Sequence, residues 1–548
     1  MQAVAMNTRL LHASTLAVVA LGAGCTAAAL VATARYGPGY ASDAVTYLSV
    51  ARSLAAGEGF QAHWGPYVQW PPLFPSLMAA AEALGASAMA AARWLNALCY
   101  GAAVVVTAAL MRRAVPSRRF VVWGALAAAG SLPLLQMAVK AETEALFTLL
   151  VVLFAGATAR YLRRPSWNTV AAMALAAAAA CLQRYAGVWL VGSGIGAVVL
   201  RPLLMRVSPR FSWKKRLLQG AAFAAGASLP LGGWLVRNRV VTGAFTGRAA
   251  PSGHPEHHLS QSVAALADVL TGWVVPPLGP VWARGLLVLG ALSLAAVAAC
   301  GYGRCVPLPE APEDPPSGRR SVRWAAAGLV GAYLPFIVLA ATVEASSLPS
   351  RRLLTPVFPL VVLLAAAGLD ALARRLPSAA SGPSWAQHAF VVLCFAWLCY
   401  PLALSGAYVA VRADIGGGGY NTDAWQTSET ARWLRAHALD DAPVRSNERS
   451  ALYFLTKAAP PAREARAGAD GYYLVCFDNP KRARLHPRRL IEQWAWLAPG
   501  VEAEALDVSP VPDRWPAQRC FGSSLSRASR RVTEVAALAD GTVYRVAY

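Results

Sequence analysis

Asp43 opens the run Ser42-Asp43-Ala44-Val45-Thr46-Tyr47, directly after a long apolar segment. Ser42 is a good helix N-cap, and Asp43 and Tyr47, four apart, share one helix face. A carboxylate so placed has the chemistry of a general base. It also suits the plainer role of complementing the helix dipole. A second group of acids stands in Lys140-Ala141-Glu142-Thr143-Glu144, a turn between two apolar runs. Ionisable groups beside a membrane are costly, which makes them candidates for function, although a hydrated turn carries ordinary charges too. The cations are Arg184, in Leu182-Gln183-Arg184-Tyr185, and the pair Arg351-Arg352 before Leu353-Leu354-Thr355-Pro356. Arginine offers a planar fork to phosphate or carboxylate. Arginines at span ends also snorkel towards water. His254, His257 and His258 flank Glu256 and have the chemistry of zinc or manganese ligands, on a single short cluster that suits a solvated loop equally well.

The elements that carry these residues are membrane helices. Of 548 residues, 56% are hydrophobic and only 14% charged, well below the roughly 25% of a soluble protein. Eleven apolar runs fall near 13–34, 88–111, 120–139, 141–159, 167–181, 185–204, 217–236, 281–300, 324–343, 353–369 and 389–411. The first is too long for a signal peptide and has no convincing cleavage site, so it reads as an anchor. The run at 167–181 is short for a span, which needs about 20 residues.

A net charge of +22 invites a nucleic-acid partner, but its distribution argues against one. With the N-terminus inside, the cytoplasmic segments are rich in Lys and Arg and hold only Glu310, Glu313 and Asp314 as acids. The outer loops are close to charge balance. This is the positive-inside pattern, with contacts to anionic lipids as a further use of the charge. Seven of the nine cysteines lie in or beside apolar runs and read as small fillers. Cys476 and Cys520 fall in the outer C-terminal region, where an oxidising compartment permits a disulfide.

Three domain-scale segments follow. Residues 1–411 form the membrane domain, with a first outer loop at 35–87. Residues 412–422 contain Gly416-Gly417-Gly418-Gly419 and read as a flexible linker. Residues 423–548 alternate helical and extended patterns, including helices at 423–437, 449–457 and 484–496. Asp540-Gly541 marks a hairpin turn. The expected architecture is an all-α polytopic membrane protein of about eleven transmembrane helices with a small C-terminal extracytoplasmic α/β domain.

The order of features in residues 42–75, from Asp43 to the re-entry Trp70-Pro71-Pro72-Leu73-Phe74-Pro75, resembles the first outer loop of the GT-C membrane glycosyltransferases. These include protein O-mannosyltransferases and lipid A aminoarabinose transferases. The aminoarabinose transferases carry an Asp-Glu pair and Lys-Pro-Pro-Leu here; this chain has Asp43-Ala44 and Trp70-Pro71-Pro72-Leu73, which argues against that subfamily and leaves a phosphate contact to another cation. The resemblance implies a polyprenyl-phosphate sugar donor and a lipid, glycan or protein acceptor. It implies Asp43 as general base and a second outer-loop acid, Glu142 or Glu144, that binds a sugar hydroxyl, orients the acceptor or helps hold a divalent cation. Tyr47 and Trp70 would line the substrate site. Arg184, Arg248, Arg351 and Arg352 are the candidates for the donor phosphate, with Arg248 in the loop after Trp234-Leu235-Val236-Arg237-Asn238. No resident cofactor is implied, a divalent cation excepted. The expected location is a bacterial cytoplasmic membrane, N-terminus inside and C-terminal region outside. The rival readings are a transporter or flippase for a lipid-linked saccharide and a non-catalytic sugar-lipid receptor.

Overall fold

The computed structural model describes residues 2–205, 213–247, 255–275, 282–286, 317–344, 348–376, 378–379, 382–383, 385–437, 444–446, 448–456, 471–477 and 531–547. Among these, seven helical segments are long and apolar enough to cross a membrane: Thr15–Ala32, Ala88–Ala114, Glu144–Arg163, Tyr185–Met205, Gly318–Thr342, Arg351–Ala373 and Trp385–Ile415. An eighth span arises if Arg118–Ala129 and Leu132–Ala138, bent by 44°, are one broken helix. The other three apolar runs fare differently. Residues 167–181 form Trp167–Gln183, only 17 residues long. Residues 217–236 lie in Trp213–Thr242, which is long enough at 30 residues but is diluted by Gln219, Ser228, Pro230 and several glycines. Most of 281–300 lies outside the described residues.

The helices pack through small residues, which let backbones approach. A Cβ on Gly22 would stand 2.9 Å from the Gly101 carbonyl oxygen, and one on Gly101 would stand 2.4 Å from that of Gly22. The spans Thr15–Ala32 and Ala88–Ala114 are thereby locked side by side. Large buried aromatics such as Phe147, Phe154, Phe223 and Tyr333 fill the spaces elsewhere.

Residues 35–87 form a compact layer over the helix ends. It comprises the strand Pro38–Tyr40, the helix Ser42–Ala55 and the helix Leu73–Ala83. Ser42 is not the N-cap: that position is Ala41, and no side chain caps the helix. Residues 417–419, expected within a flexible linker, form a strand paired in parallel with Pro38–Tyr40. Glycine is required there because the two backbones touch. A Cβ on Gly39 would lie 2.5 Å from the Gly417 oxygen, and one on Gly417 would lie 2.5 Å from the Gly39 nitrogen.

Beyond this ladder, a helix expected over 423–437 divides into Asp423–Gln426 and Glu429–Ala436. The break falls at Ser428, whose hydroxyl accepts from the Ala431 N–H at 3.0 Å and starts a new helix. Arg449–Thr456 follows. A four-stranded sheet has spatial order Val444–Ser446, Gly471–Phe477, Gly541–Ala547, Arg531–Leu538. The expected hairpin is present, and Asp540 at its turn accepts from the Thr430 N–H at 2.9 Å and the Thr430 hydroxyl at 2.8 Å. The helix expected over 484–496 lies outside the described residues.

Candidate active site

Five ionisable side chains from four separate stretches meet at one end of the spans. Asp43 comes from the first turn of Ser42–Ala55, and Glu142 and Glu144 from the turn before Glu144–Arg163. Arg184 follows Trp167–Gln183, and Arg352 stands at the head of the span Arg351–Ala373. Arg352 is the hub. Its Nη1 and Nη2 both lie 3.2 Å from Asp43 Oδ2, its Nε lies 3.5 Å from Glu142 Oε2, and Nε also donates to Glu144. Arg184 pairs with the same Glu144 oxygen and donates to the Thr143 hydroxyl at 2.8 Å. Glu144 is fully buried, whereas Asp43 keeps 28% of its side chain exposed. The cluster is therefore closed on the Glu144 side and open at Asp43.

Backbone clamps fix the turn that carries the two glutamates. The Gly39 N–H donates to Val139 at 2.8 Å, and the Ala141 N–H donates back to Gly39 at 2.9 Å. Asn96 donates to the carbonyls of Lys140 at 2.6 Å and Glu142 at 2.9 Å, and Gln183 donates to that of Thr143 at 2.9 Å. Each donor satisfies a buried carbonyl that a turn leaves open. Because Gly39 also pairs with the 417–419 strand, the C-terminal region is linked to the glutamate turn through one short ladder.

Glu142 is 2% exposed, and its Oε2 makes no hydrogen bond among the described residues. Burial pushes its carboxyl above the usual range; Arg352 and Lys140 oppose this, and Glu144 and Asp43 reinforce it. Three carboxyl groups thus stand with two guanidiniums, and Lys140 acts on Glu142 as a further cation.

Aromatic residues form the wall behind Asp43. Tyr47 packs edge-on against Trp70 at 5.9 Å and Phe74 at 5.6 Å, and burial pushes its phenol up. Trp70 therefore shapes this wall and does not join the ion cluster. Arg237 donates to the Tyr67 carbonyl at 2.7 Å, and Asn238 to that of Phe245 at 3.0 Å, so the Trp234–Asn238 stretch holds the loop closed. Tyr185 donates to the Val68 carbonyl at 3.0 Å, and its hydroxyl accepts from Trp234 Nε1 at 3.2 Å. Thr143, Asn96, Gln183 and Gly39 escaped notice in the sequence, because polar residues that serve a turn's backbone look like any others until the turn is seen.

The remaining candidates lie elsewhere. Arg351 lines a separate cavity, although it is next to Arg352 in the chain. Arg248 and His254 lie outside the described residues, as do the side chains of His257 and His258 and the whole of Cys520. Among the described residues no group of three or more His, Cys, Asp or Glu side chains is arranged to hold a metal ion.

No family model matches the sequence, and no curated protein matches it at a significant level. Solved structures do. ArnT from Cupriavidus metallidurans in the apo state is similar at a TM-score of 0.55 and 14% identity, over 97% of this chain and 98% of that one. The same protein bound to undecaprenyl phosphate is similar at 0.54 and 13%, over 97% of each chain. The archaeal oligosaccharyltransferase AglB from Archaeoglobus fulgidus, in complex with an inhibitory peptide and a dolichol-phosphate, has a TM-score of 0.49 at 12% identity, over 84% of this chain and 69% of that one. At such identities the likeness is one of fold: this chain shares the fold of the ArnT structures.

Proposed function

We propose that the chain is an integral membrane glycosyltransferase that moves a sugar from a polyprenyl phosphate to an acceptor on the outer face of the cytoplasmic membrane. The observation that carries this reading is the convergence of Asp43, Glu142, Glu144, Arg184 and Arg352 at one end of the spans in a GT-C fold. The similar structure that contains undecaprenyl phosphate supports a lipid-borne donor. The sequence offers no nucleotide-binding fingerprint, which agrees with that donor.

Asp43 is the general base. Both of its contacts with Arg352 fall on Oδ2, and Oδ1 is left to accept a proton. As the acceptor oxygen bonds to the anomeric carbon, its proton passes to Asp43. The bond from that carbon to the phosphate oxygen breaks, its electron pair stays on the phosphate, and the configuration inverts. The departing phosphate monoester gains charge, which Arg184 and Arg352 stabilise as a fork. Before donor binding these guanidiniums are occupied by carboxylates. The phosphate draws Arg352 away from Asp43 Oδ2 and makes the base more basic when substrate is present. Glu144 holds both arginines in place, and Glu142 in its protonated form donates a hydrogen bond to substrate.

The direct test is mass spectrometry of glycoconjugates and lipid-linked sugars in a strain that lacks the gene, against one that carries it. The reading expects one glycan to disappear and a polyprenyl-phosphate sugar to accumulate. An unchanged glycan set with an altered distribution of lipid-linked sugar between the leaflets would favour a transporter.

A further inference from the structure

Lys140 stands at the head of the turn that carries Glu142 and Glu144, and it has no part in the transfer proposed above. Its backbone is held from two sides. Its carbonyl accepts from Asn96 at 2.6 Å, and Gly39, four residues before Asp43, pairs with it across the ladder. The side chain is half-buried, and its charge acts on Glu142. Among the described residues its ammonium makes no hydrogen bond and no ion pair.

The arginines of the cluster are already engaged. Arg184 and Arg352 both pair with Glu144, and Arg352 also pairs with Asp43. Two guanidiniums against these two carboxylates leave no positive excess, whether or not Glu142 carries a proton. A polyprenyl-phosphate donor is an anion that gives up water to enter, and that cost must be offset by opposite charge. Lys140 adds one positive charge. When Glu142 is protonated, that charge matches the single negative charge of a sugar phosphodiester. Transfer then puts the acceptor proton on Asp43 and a second negative charge on the leaving phosphate. Arg184, Arg352 and Lys140 now face Glu144 alone, and the excess rises in step with the charge of the leaving group. An ammonium suits this task. It is a compact point charge with three donors on a flexible stem, and here it can turn to phosphate without breaking a hydrogen bond or ion pair to the described residues.

We propose that Lys140 binds the donor phosphate and is the third cation that stabilises the departing monoester. This role rests on the transferase reading above and goes to a residue which that reading leaves unassigned.

The test is native mass spectrometry of the purified full chain in detergent at a pH of about 8, where a phosphate monoester is a dianion. The probes are undecaprenyl phosphate, its methyl phosphodiester with one charge, and uncharged undecaprenol. The wild type is expected to bind the monoester at least about tenfold more tightly than undecaprenol. Lys140→Met should weaken the monoester by about tenfold or more and the diester by less, with undecaprenol binding and the unfolding midpoint unchanged. Lys140→Arg should stay close to wild type, because it keeps the charge. If Lys140→Met does not fold, Lys140→Gln carries the comparison. Monoester binding as tight in the folded Lys140→Met protein as in the wild type overturns the role of Lys140 and leaves the transferase reading standing. Equal losses for monoester and diester overturn its part in the departure of the phosphate. Wild-type binding of undecaprenol as tight as that of the monoester overturns the phosphate donor, and the role of Lys140 with it.

Discussion

Arg352 holds Asp43 across 309 residues of sequence, with Nη1 and Nη2 both 3.2 Å from the same carboxylate oxygen. That contact joins the loop at residues 35–87 to a late span and, among the described residues, leaves the other Asp43 oxygen without a partner. Arg352→Lys keeps the charge but loses the fork. It should fold, weaken donor use and lower turnover. Arg352→Ala removes the hub and leaves buried Glu144 and Glu142 short of a partner, at a cost of about 3–5 kcal/mol. Thermal unfolding in detergent should rank wild type above Arg352→Lys and Arg352→Ala last, with Glu142→Gln partly rescuing Arg352→Ala. Equal midpoints for all four would remove the hub role.

The two glutamates should part company on substitution. Glu144 is fully buried and pairs with both Arg184 and Arg352. Among the described residues Glu142 has one ion-pair contact, from Oε2 to Arg352 at 3.5 Å, and that oxygen makes no hydrogen bond. Glu144→Gln should therefore lower the unfolding midpoint and donor affinity together. Glu142→Gln should leave the midpoint near wild type, because burial already favours its neutral form. The reverse ranking would contradict these separate roles.

How far was this legible in the sequence? Asp43, Glu142, Glu144, Arg184 and Arg352 stood out because charges beside apolar runs are rare. Their convergence was not legible, since it depends on how spans hundreds of residues apart pack. Nor was the choice between Arg351 and Arg352, which is one of helix phase: neighbours on a helix point about 100° apart. The glycine run at 416–419 looked flexible because composition cannot show a partner strand. Ser42 looked like a cap by type, yet it is already the first helical residue and the cap position is Ala41. The run at 217–236 is longer as a helix than its hydropathy suggested, because its polar and glycine residues lie within a continuous helix.

The glycine ladder makes a stability prediction. A methyl group on Gly39 or Gly417 has backbone atoms 2.5 Å away, and forcing such contacts costs roughly 1–3 kcal/mol. Gly39→Ala should lower both the unfolding midpoint and turnover, because Gly39 also positions the glutamate turn. Gly24→Ala, with open space around it, is the control and should change neither. A Gly39→Ala protein with wild-type activity would sever the proposed link between ladder and site.

His63 gives a pH dependence. It stacks on Tyr453 at 4.8 Å, and burial pushes its imidazole down to about 4 from the ordinary ~6.5. The unfolded ring binds a proton more readily than the folded one. No stability is lost above pH ~6.5, and stability falls as the pH drops from there towards 4. The unfolding midpoint measured at pH 7.5 and pH 5 should therefore fall more in the wild type than in His63→Gln. Equal falls would show that this ring is not the sensor.

Asp43→Asn is the most direct test of the central claim. Asparagine keeps the size and most of the hydrogen bonding with Arg352 but lacks a basic oxygen. Transfer from a polyprenyl-phosphate sugar, followed with purified protein in lipid vesicles, should drop by about 10²–10⁴-fold, while binding of the donor lipid stays within a few-fold of wild type. Near-wild-type turnover by Asp43→Asn would contradict the assignment of this residue as the base.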